Sequence, residues 1–195
     1  SVMDYFDYSY KHNYIEFSSN IYRVGTYHYN WHGETEIFIL LKGRVEMSCN
    51  DEVFTLEPLD AVIISPQVGH SILALAEDVI AFTIHVGNEF YQQYDPNFGS
   101  YQFVVRSDES TRHNQFFTTL RHHAAMTMLL MIKGENPVHR MWIEHHYLAL
   151  AGDVFREFEP VKLVHENARP GDIKPASFDK MIAYIDEHYR QKLEL

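Results

Sequence analysis

The segment from Tyr27 to Ser48, YHYNWHGETEIFILLKGRVEMS, gathers side chains that can bind or ionise just ahead of an apolar strand. His28, Asn30 and His32 alternate along it, so on a β-strand all three project from one face. Glu36 follows four positions after His32. Imidazole and carboxylate groups at this spacing can hold a divalent metal, anchor a polar ligand without metal, or form an ordinary hydrogen-bonded cluster.

Aromatic side chains occupy the opposite face of the same segment. Tyr27, Tyr29 and Trp31 alternate with the polar set and could stack on a sugar ring or pack within a barrel. Only one of the two faces can line a pocket. We expect it to be the face of His32, which continues along the next strand to Phe38.

Several other reactive side chains are predicted to be structural. His85, in the apolar run AFTIHV, is interpreted as a packed or edge histidine. Residues 122–123 and 145–146 are histidine pairs whose neighbours point about 100° apart on a helix, so neither pair chelates alone. They could meet across two helices, but a solvated face is expected. Cys49 is the single cysteine and cannot form an internal disulfide, which fits a reducing, cytoplasmic location.

Charge argues against contact with nucleic acid over most of the chain. The net charge is −11, and residues 1–160 carry 10 basic against 21 acidic side chains, whereas residues 161–195 carry 6 of each. A surface that neutralises phosphates is expected to be basic. No apolar run reaches the ~20 residues of a membrane span, so no membrane partner is expected.

The first half of the chain reads as short strands separated by turns. β-rich runs are predicted at Asn20 to Tyr29, Glu36 to Leu41, Arg44 to Ser48, Val53 to Leu56, Ala61 to Ser65, Ser71 to Leu75 and Val79 to Val86. Asn50-Asp51 suits a tight hairpin turn with positive φ. Many short strands at this spacing indicate a sandwich or barrel.

The second half reads as helical. Residues 88–110 are predicted to be irregular, and helices are predicted from Thr111 to Lys133 and from Pro137 to about Phe158, with Gly134 as a C-terminal cap. The short loop makes them an antiparallel pair. Apolar residues spread around both helices, which predicts a homodimer that buries the surplus. These residues are Phe116, Leu120, Met128, Met131, Trp142, Leu148 and Phe155.

The spacing of His32, Glu36 and Gly43 resembles the first conserved motif of cupins. The second cupin motif, a Gly-Asp turn, a strand, a proline turn and a histidine, is matched by Leu59-Asp60, residues 61–64, SPQVG and His70. The resemblance implies an α+β fold in which a cupin-like barrel, a double-stranded β-helix or jelly roll, precedes the antiparallel helix pair.

In metal-binding cupins two histidines, the glutamate and the later histidine converge on iron, manganese or a similar ion. Here the first of those histidines is replaced by Asn30, a weak neutral ligand. We therefore expect no resident cofactor and well under one equivalent of metal, and any metal present would be held by His32, Glu36 and His70.

The order of elements resembles the AraC family of bacterial transcription regulators. The resemblance implies an effector-binding barrel at 1–110, a helical dimerisation pair at 111–160 and a linker at 161–175. Residues 176–195, with an apolar stripe from Phe178 to Tyr189, would then be the first helix of a truncated helix-turn-helix DNA-binding domain. DNA would be bound only through the missing C-terminal part.

The sequence therefore predicts a sensor of a small polar molecule, such as a carbohydrate, rather than an enzyme. The main rival is a metal-dependent cupin enzyme, a dioxygenase or isomerase, that uses His32, Glu36 and His70. A sugar-binding module without regulatory coupling is a third alternative. The predicted ligand-binding residues are His28, Asn30, His32, Glu36, Phe38 and His70.

Overall fold

The computed structural model describes residues 8–11, 16–157 and 161–162. The predicted linker beyond residue 162 and the predicted last helix at 176–195 lie outside the described residues. Within the part of the chain that the structure describes, no helix is both long and apolar enough to cross a membrane.

Nine strands make up the first half of the described chain. They are β1 Tyr8–Lys11, β2 Phe17–Arg23, β3 Tyr27–Asn30, β4 Glu34–Lys42, β5 Val45–Cys49, β6 Glu52–Leu56, β7 Ala61–Ile64, β8 His70–Ala74 and β9 Ile80–Gly87. The run predicted from Asn20 to Tyr29 is therefore two strands, β2 and β3. They lie in different sheets and are separated by residues 24–26.

The strands form two antiparallel sheets. The larger sheet has the order β1-β2-β9-β4-β7, with Val104–Arg106 (β11) as its last strand, and the smaller sheet has the order β3-β8-β5-β6. The predicted α+β architecture of a β-barrel followed by helices is confirmed.

Strand β4 shows how the sequence divides its side chains between two apolar cores. Phe38 and Leu40 pack in a cluster with residues of the smaller sheet, such as Met47 and Ile72, and this cluster is the barrel interior. The alternate residues Ile37 and Ile39 belong to a second cluster shared with the two long helices. Because β4 is covered on both faces, most of its residues are apolar, and Thr35 and Glu36 are the polar residues within its buried stretch.

Three turns carry non-glycine residues with left-handed backbone conformation, and one of these residues is Gln67 (φ 62°). Asn50 (φ 53°) and Asp51 (φ 66°) form the β5–β6 hairpin turn, in agreement with the positive φ predicted there. Leu59 has φ 74° at the position where the resemblance calls for glycine. The turn conformation is thus retained although a side chain is present, at a cost of roughly 1–2 kcal/mol.

Residues 88–110 are more regular than predicted. They contain the short helix α1 Asn88–Gln92, a 3-10 turn at Phe98–Ser100, and strands β10 Tyr101–Gln102 and β11 Val104–Arg106. Strand β11 extends the larger sheet by pairing with β7, and β10 pairs with β12 Val161–Lys162. The first two residues of the predicted linker are therefore a strand.

The two predicted helices are α2 Gln115–Lys133 and α3 Pro137–Glu157. Helix α2 begins four residues later than predicted because the Asn114 side chain caps it by accepting a hydrogen bond from the Phe117 backbone N–H at 3.0 Å. Gly134 (φ 94°) ends α2, and the three-residue loop makes α3 run antiparallel to it.

The helix residues predicted to be surplus divide unequally between core and surface. On α2, Leu120 and Met131 are buried, and Phe116 and Met128 pack against the core shared with the larger sheet. The surplus predicted on α2 is therefore mostly absorbed within the chain. On α3 the three predicted residues Trp142, Leu148 and Phe155 are all exposed. On α2 the structure exposes two large apolar residues that were not predicted, Leu129 and Ile132.

A buried ion pair connects the barrel to the segment that enters α2. Asp60 is 2% exposed, and its carboxylate accepts two hydrogen bonds from Arg112, Nε to Oδ1 at 2.8 Å and Nη2 to Oδ2 at 3.0 Å. The Ser107 hydroxyl and the Glu57 backbone N–H donate to the same carboxylate. Burial raises the pKa of Asp60, but these donors, led by Arg112, outweigh burial and hold the pKa below its usual range.

We expect Arg112→Ala to lower the free energy of unfolding by about 2 kcal/mol, less than the ~3–5 of a fully buried pair because the guanidinium is 23% exposed. The depressed pKa means that this stabilisation is present above the unfolded pKa of about 3.9 and is lost as pH falls through the lower folded value. Urea unfolding of both proteins from pH 7 to pH 2 measures the difference.

Arg44→Ala is the matched control for this ion pair. Arg44 also donates through Nε to a carboxylate, that of Glu57 at 2.7 Å, but both side chains are about half exposed. Its loss should cost at most about 0.5 kcal/mol. Equal losses in the two variants would contradict the role assigned to Asp60.

Candidate functional site

A buried carboxylate surrounded by three imidazoles lies at one end of the barrel interior. Glu36 is 1% exposed. Its Oε2 lies 2.6 Å from His70 Nε2 and 3.6 Å from His32 Nε2, and its Oε1 lies 3.2 Å from His85 Nε2. We call these four residues the Glu36 cluster.

Strand register brings the four side chains together. Glu36 on β4 pairs directly with His85 on β9, so the two side chains share the interior face. His70 begins β8 opposite Asn30, the last residue of β3. His32 follows in the turn that leads back to β4. The cluster therefore joins both sheets at the rim of the barrel.

Backbone contacts orient two of the imidazoles. His70 Nδ1 lies 3.2 Å from the Val68 carbonyl oxygen, and His32 Nδ1 lies 3.1 Å from the Glu34 carbonyl oxygen. A carbonyl can only accept, so each Nδ1 carries a proton, and Nε2 is the ring nitrogen left for other partners. Both Nε2 atoms face Glu36.

The electrostatics keep Glu36 ionised. Burial alone would raise its pKa, but the imidazoles of His32, His70 and His85 outweigh burial and hold the pKa well below the usual range. The same contact with Glu36 raises the pKa of His32 against the opposing effect of burial. The cluster therefore stores a negative charge inside the barrel, beside three imidazoles.

Short distances in the cluster do not correspond to well-aligned hydrogen bonds. Glu36 Oε2, His32 Nε2 and His70 Nε2 are all buried without a hydrogen-bond partner of acceptable geometry. Buried polar groups in proteins are nearly always paired, so three orphans at one place call for a further partner. Donor atoms that face one another without pairing are typical of side chains that share a third body, such as a ligand hydroxyl or a metal ion.

The donor set fits a divalent transition metal. Donor atoms of His32, Glu36 and His85 lie within 4.8 Å of one another, and His70 adds a third imidazole. Imidazole with carboxylate suits zinc, iron and similar ions. Such an ion would be held by these four residues and would supply Lewis-acid polarisation of a bound oxygen.

The predicted ligand-binding residues divide into three groups. His32, Glu36 and His70 meet in the cluster, and Asn30 lies beside it, across from His70. Phe38 is fully buried two residues deeper along β4, where it forms the apolar floor beneath Glu36. The remaining predicted residue, His28, is exposed on β3, which is the edge strand of the smaller sheet.

The aromatic face of β3 points away from the cluster. Tyr27 and Tyr29 pair with Leu73 and Ser71, on the face opposite to that of Asn30 and His70. Both tyrosines and Trp31 are 60–65% exposed. The structure thus places the His32 side of this segment inward, and the aromatic side lies outside the barrel.

His85 is the residue of the cluster that the sequence interpretation assigned to packing. It supplies an imidazole where Asn30 cannot, although it lies far from His32 in sequence. A signal was present in β9, where Ala81, Thr83 and His85 alternate with Phe82, Ile84 and Val86. Polar side chains at alternate positions of a buried strand indicate a polar interior face.

Further polar side chains continue the interior face along β2. Ser18 pairs with His85, and Asn20 pairs with Thr83, so their side chains extend from the cluster along the barrel. The next residue on this face, Tyr22, has a raised pKa because it is buried and because it feels the charge of Glu36. The site therefore presents hydroxyl and amide groups beside a carboxylate and imidazoles.

Comparison with known proteins identifies the domain. The AraC-like ligand-binding domain family matches residues 12–134, which include the whole barrel site and all of α2. No curated protein sequence matches the chain.

Several solved structures of cupin-fold proteins are similar at low sequence identity. The Cnp3 cupin domain of Schizosaccharomyces pombe has 14% identity and a TM-score of 0.40 over 47% of this chain and 69% of that one. A cupin 2 conserved barrel domain protein of Salinispora arenicola has 16% identity and a TM-score of 0.35 over 42% and 71%. A mutant oxalate decarboxylase of Bacillus subtilis has 19% identity and a TM-score of 0.35. The match covers 41% of this chain and 23% of the decarboxylase.

The family match covers more than half of the chain and contains the Glu36 cluster and every strand of the two sheets except β1. The chain belongs to the AraC-like ligand-binding domain family.

Proposed function

We propose that this chain is the effector-binding and dimerisation part of a cytoplasmic AraC-type transcription regulator that senses a small polar molecule, most simply a sugar. The observation that carries the proposal is the Glu36 cluster, whose buried polar atoms lack well-aligned partners inside a domain of this family.

The chemistry of the cluster supports a hydroxyl-rich ligand. The ionised Glu36 accepts hydrogen bonds from hydroxyl groups, and a neutral imidazole both donates and accepts. Asn20 and Ser18 add amide and hydroxyl groups along the same face. Phe38 beneath the cluster gives the site an apolar floor, the usual combination in small-molecule sites.

Coupling to the helices would run through the larger sheet. Its outer face shares an apolar core with α2 and α3, and Asp60 with Arg112 ties a barrel turn to the entry of α2. A ligand that pulls β4 and β9 towards His32 and His70 would favour one arrangement of this sheet. Differential affinity for two arrangements is what a population shift requires. DNA-binding domains attached beyond the helices would then change their spacing.

The rival function is a metal-dependent cupin enzyme, and the three imidazoles beside Glu36 favour it more than the sequence did. The expectation of weak metal binding rested on Asn30, and His85 now offers the missing imidazole. Metal content therefore discriminates between the two functions.

A thermal-shift screen of sugars and metal ions tests the proposal. We expect one class of sugar to raise the melting temperature without added metal, because a ligand at 100 times its Kd stabilises by about 2.7 kcal/mol. For a protein of 195 residues this corresponds to roughly 5–10 °C. The shift should disappear in His85→Gln and persist in His113→Gln, which changes an exposed histidine outside the barrel.

Elemental analysis of the protein purified without added ions completes the test. Well under one equivalent of iron, manganese, nickel or zinc is expected of a sugar sensor. A full equivalent that is lost in His85→Gln, with no sugar giving a shift, would replace the proposal by the enzyme rival.

A further inference from the structure

Two histidines meet between the long helices, outside the barrel. His123 on α2 and His146 on α3 approach with their Nδ1 atoms 2.9 Å apart. The sequence interpretation expected a solvated helix face here, but His146 is only 6% exposed. The antiparallel return of α3 brings the two residues to the same level of the helix pair.

Two more histidines and a tryptophan surround this pair. The His122 ring centre lies 5.5 Å from that of His123, and the His145 ring centre lies 4.9 Å from that of His146. Trp142 lies one helical turn before His146, with ring centres 6.5 Å apart. Four imidazoles and one fluorescent indole therefore lie close together on the helix pair.

The surroundings keep the two central imidazoles neutral. Burial, followed by the neighbouring histidines, lowers the pKa of His146 to about 4, and burial lowers the pKa of His123. The carboxylate of Asp153 opposes this shift at His123 and adds a negative field on that side. Neutral imidazole is the form that binds metals, so protons do not compete at neutral pH.

The separation of the two Nδ1 atoms matches that of two adjacent ligands of one metal ion. Metal–imidazole bonds are about 2.0–2.1 Å long, so nitrogens 2.9 Å apart subtend an angle of about 90° at the metal. That angle is typical of the tetragonal geometry of copper(II) and nickel(II), and imidazole is a preferred ligand of both.

We propose that His123 and His146 form a second, independent site for a divalent transition metal of the copper or nickel type, bound through both Nδ1 atoms on the helix pair. The site shares no residue with the Glu36 cluster and does not depend on the function proposed for the barrel.

Metal binding here needs a change of tautomer and a tilt of both rings, so that each Nδ1 lone pair points to the metal and no longer along the line between the two nitrogens. In the metal-free pair one Nδ1–H donates to the other Nδ1. When both Nδ1 lone pairs bind the metal, that proton moves to Nε2 of the same ring, and both rings stay neutral. His123, which is only half buried, leaves room for this exchange with solvent.

Fluorescence of Trp142 gives a local readout. The chain has two tryptophans, so Trp31→Phe leaves Trp142 as the single indole. Nickel(II) and copper(II) chloride, added separately, should each quench its emission saturably. His123→Gln in this background should weaken the apparent affinity at least tenfold.

Two controls define the outcome. His113→Gln, an exposed histidine ahead of α2, and His85→Gln, in the barrel, should leave the quenching curve unchanged. Quenching that survives His123→Gln, that disappears with His85→Gln, or that is absent altogether would overturn the proposal.

A measurement on the unsubstituted protein removes any dependence on how the variants fold. In long-range nitrogen–proton spectra of histidine-labelled protein, zinc chloride, a diamagnetic substitute, should shift the Nδ1 signals of two histidines beyond those of the barrel. Spectra in which only barrel histidines respond would refute the site.

Discussion

Replacing Glu36 by alanine is expected to lower the free energy of unfolding by about 3–5 kcal/mol. The carboxylate is 1% exposed and is the common partner of His32, His70 and His85. Breaking a buried charged contact by removing one partner leaves the others buried and uncompensated. In a chain of 195 residues the melting temperature should fall by about 6–20 °C.

Two variants show how much of the expected loss in stability comes from the charge of Glu36 and how much any glutamate-to-alanine change would cost. Glu36→Gln keeps the shape and one acceptor oxygen, so its cost should be smaller, about 1–3 kcal/mol. Glu52→Ala removes an exposed glutamate from β6 and should stay within about 0.5 kcal/mol of the parent. If Glu36→Ala were neutral or stabilising, the cluster would be a binding site held at the expense of stability, without a role in holding the two sheets together.

The sequence was sufficient for the barrel and for three members of the cluster. His32, Glu36 and His70 follow from the motif spacing, and the inward face of that segment follows from strand alternation. Local rules also located the Asn50-Asp51 turn and the loop around Gly134. These features depend on residues that are close in sequence, where conformational preference and periodicity act directly.

The features that the sequence did not reveal depend on register between distant segments. His85 joins Glu36 only because β9 pairs with β4 in one register, and a shift by one residue would turn it outward. The same holds for His123 and His146, which meet because the loop after Gly134 sets the level at which α3 returns. The helix and strand propensities of single residues contain no information on the register of β4 with β9 or on the position of α3 along α2.

Helix α3 carries an exposed stripe with the spacing of a coiled-coil seam. Its members are three or four residues apart along the helix, the pattern that brings side chains to one line. All are exposed, and the apolar side chains among them are 39–64% exposed. The members are Val138, Met141, His145, Leu148, Gly152 and Phe155.

Gly152 within this seam supports a partner helix. Glycine in a helix interior costs about 1 kcal/mol relative to alanine, and a Cβ added here would meet nothing within 4 Å in the single chain. The chain itself therefore gives no packing reason for the glycine. A second helix that crosses close to α3 at this point would give one. We propose that the partner is α3 of a second copy, in a two-fold dimer.

Leu148→Glu is therefore expected to convert a dimer into a monomer of 23.0 kDa at micromolar concentration. A two-fold interface repeats each substitution, so two carboxylates would be buried without partners and the Kd should rise about 100-fold or more. Val53→Glu is the control, since Val53 is an exposed apolar residue on the barrel, and its dimer should persist.

Gly152→Ala distinguishes a helix–helix interface from an ordinary exposed surface. On an isolated helix it stabilises the fold by about 1 kcal/mol and leaves assembly unchanged, whereas at a close crossing the added methyl group weakens the dimer. Sedimentation of the three variants decides the matter. A parent protein that is already monomeric, or a Leu148→Glu variant that stays dimeric, would exclude α3 as the interface.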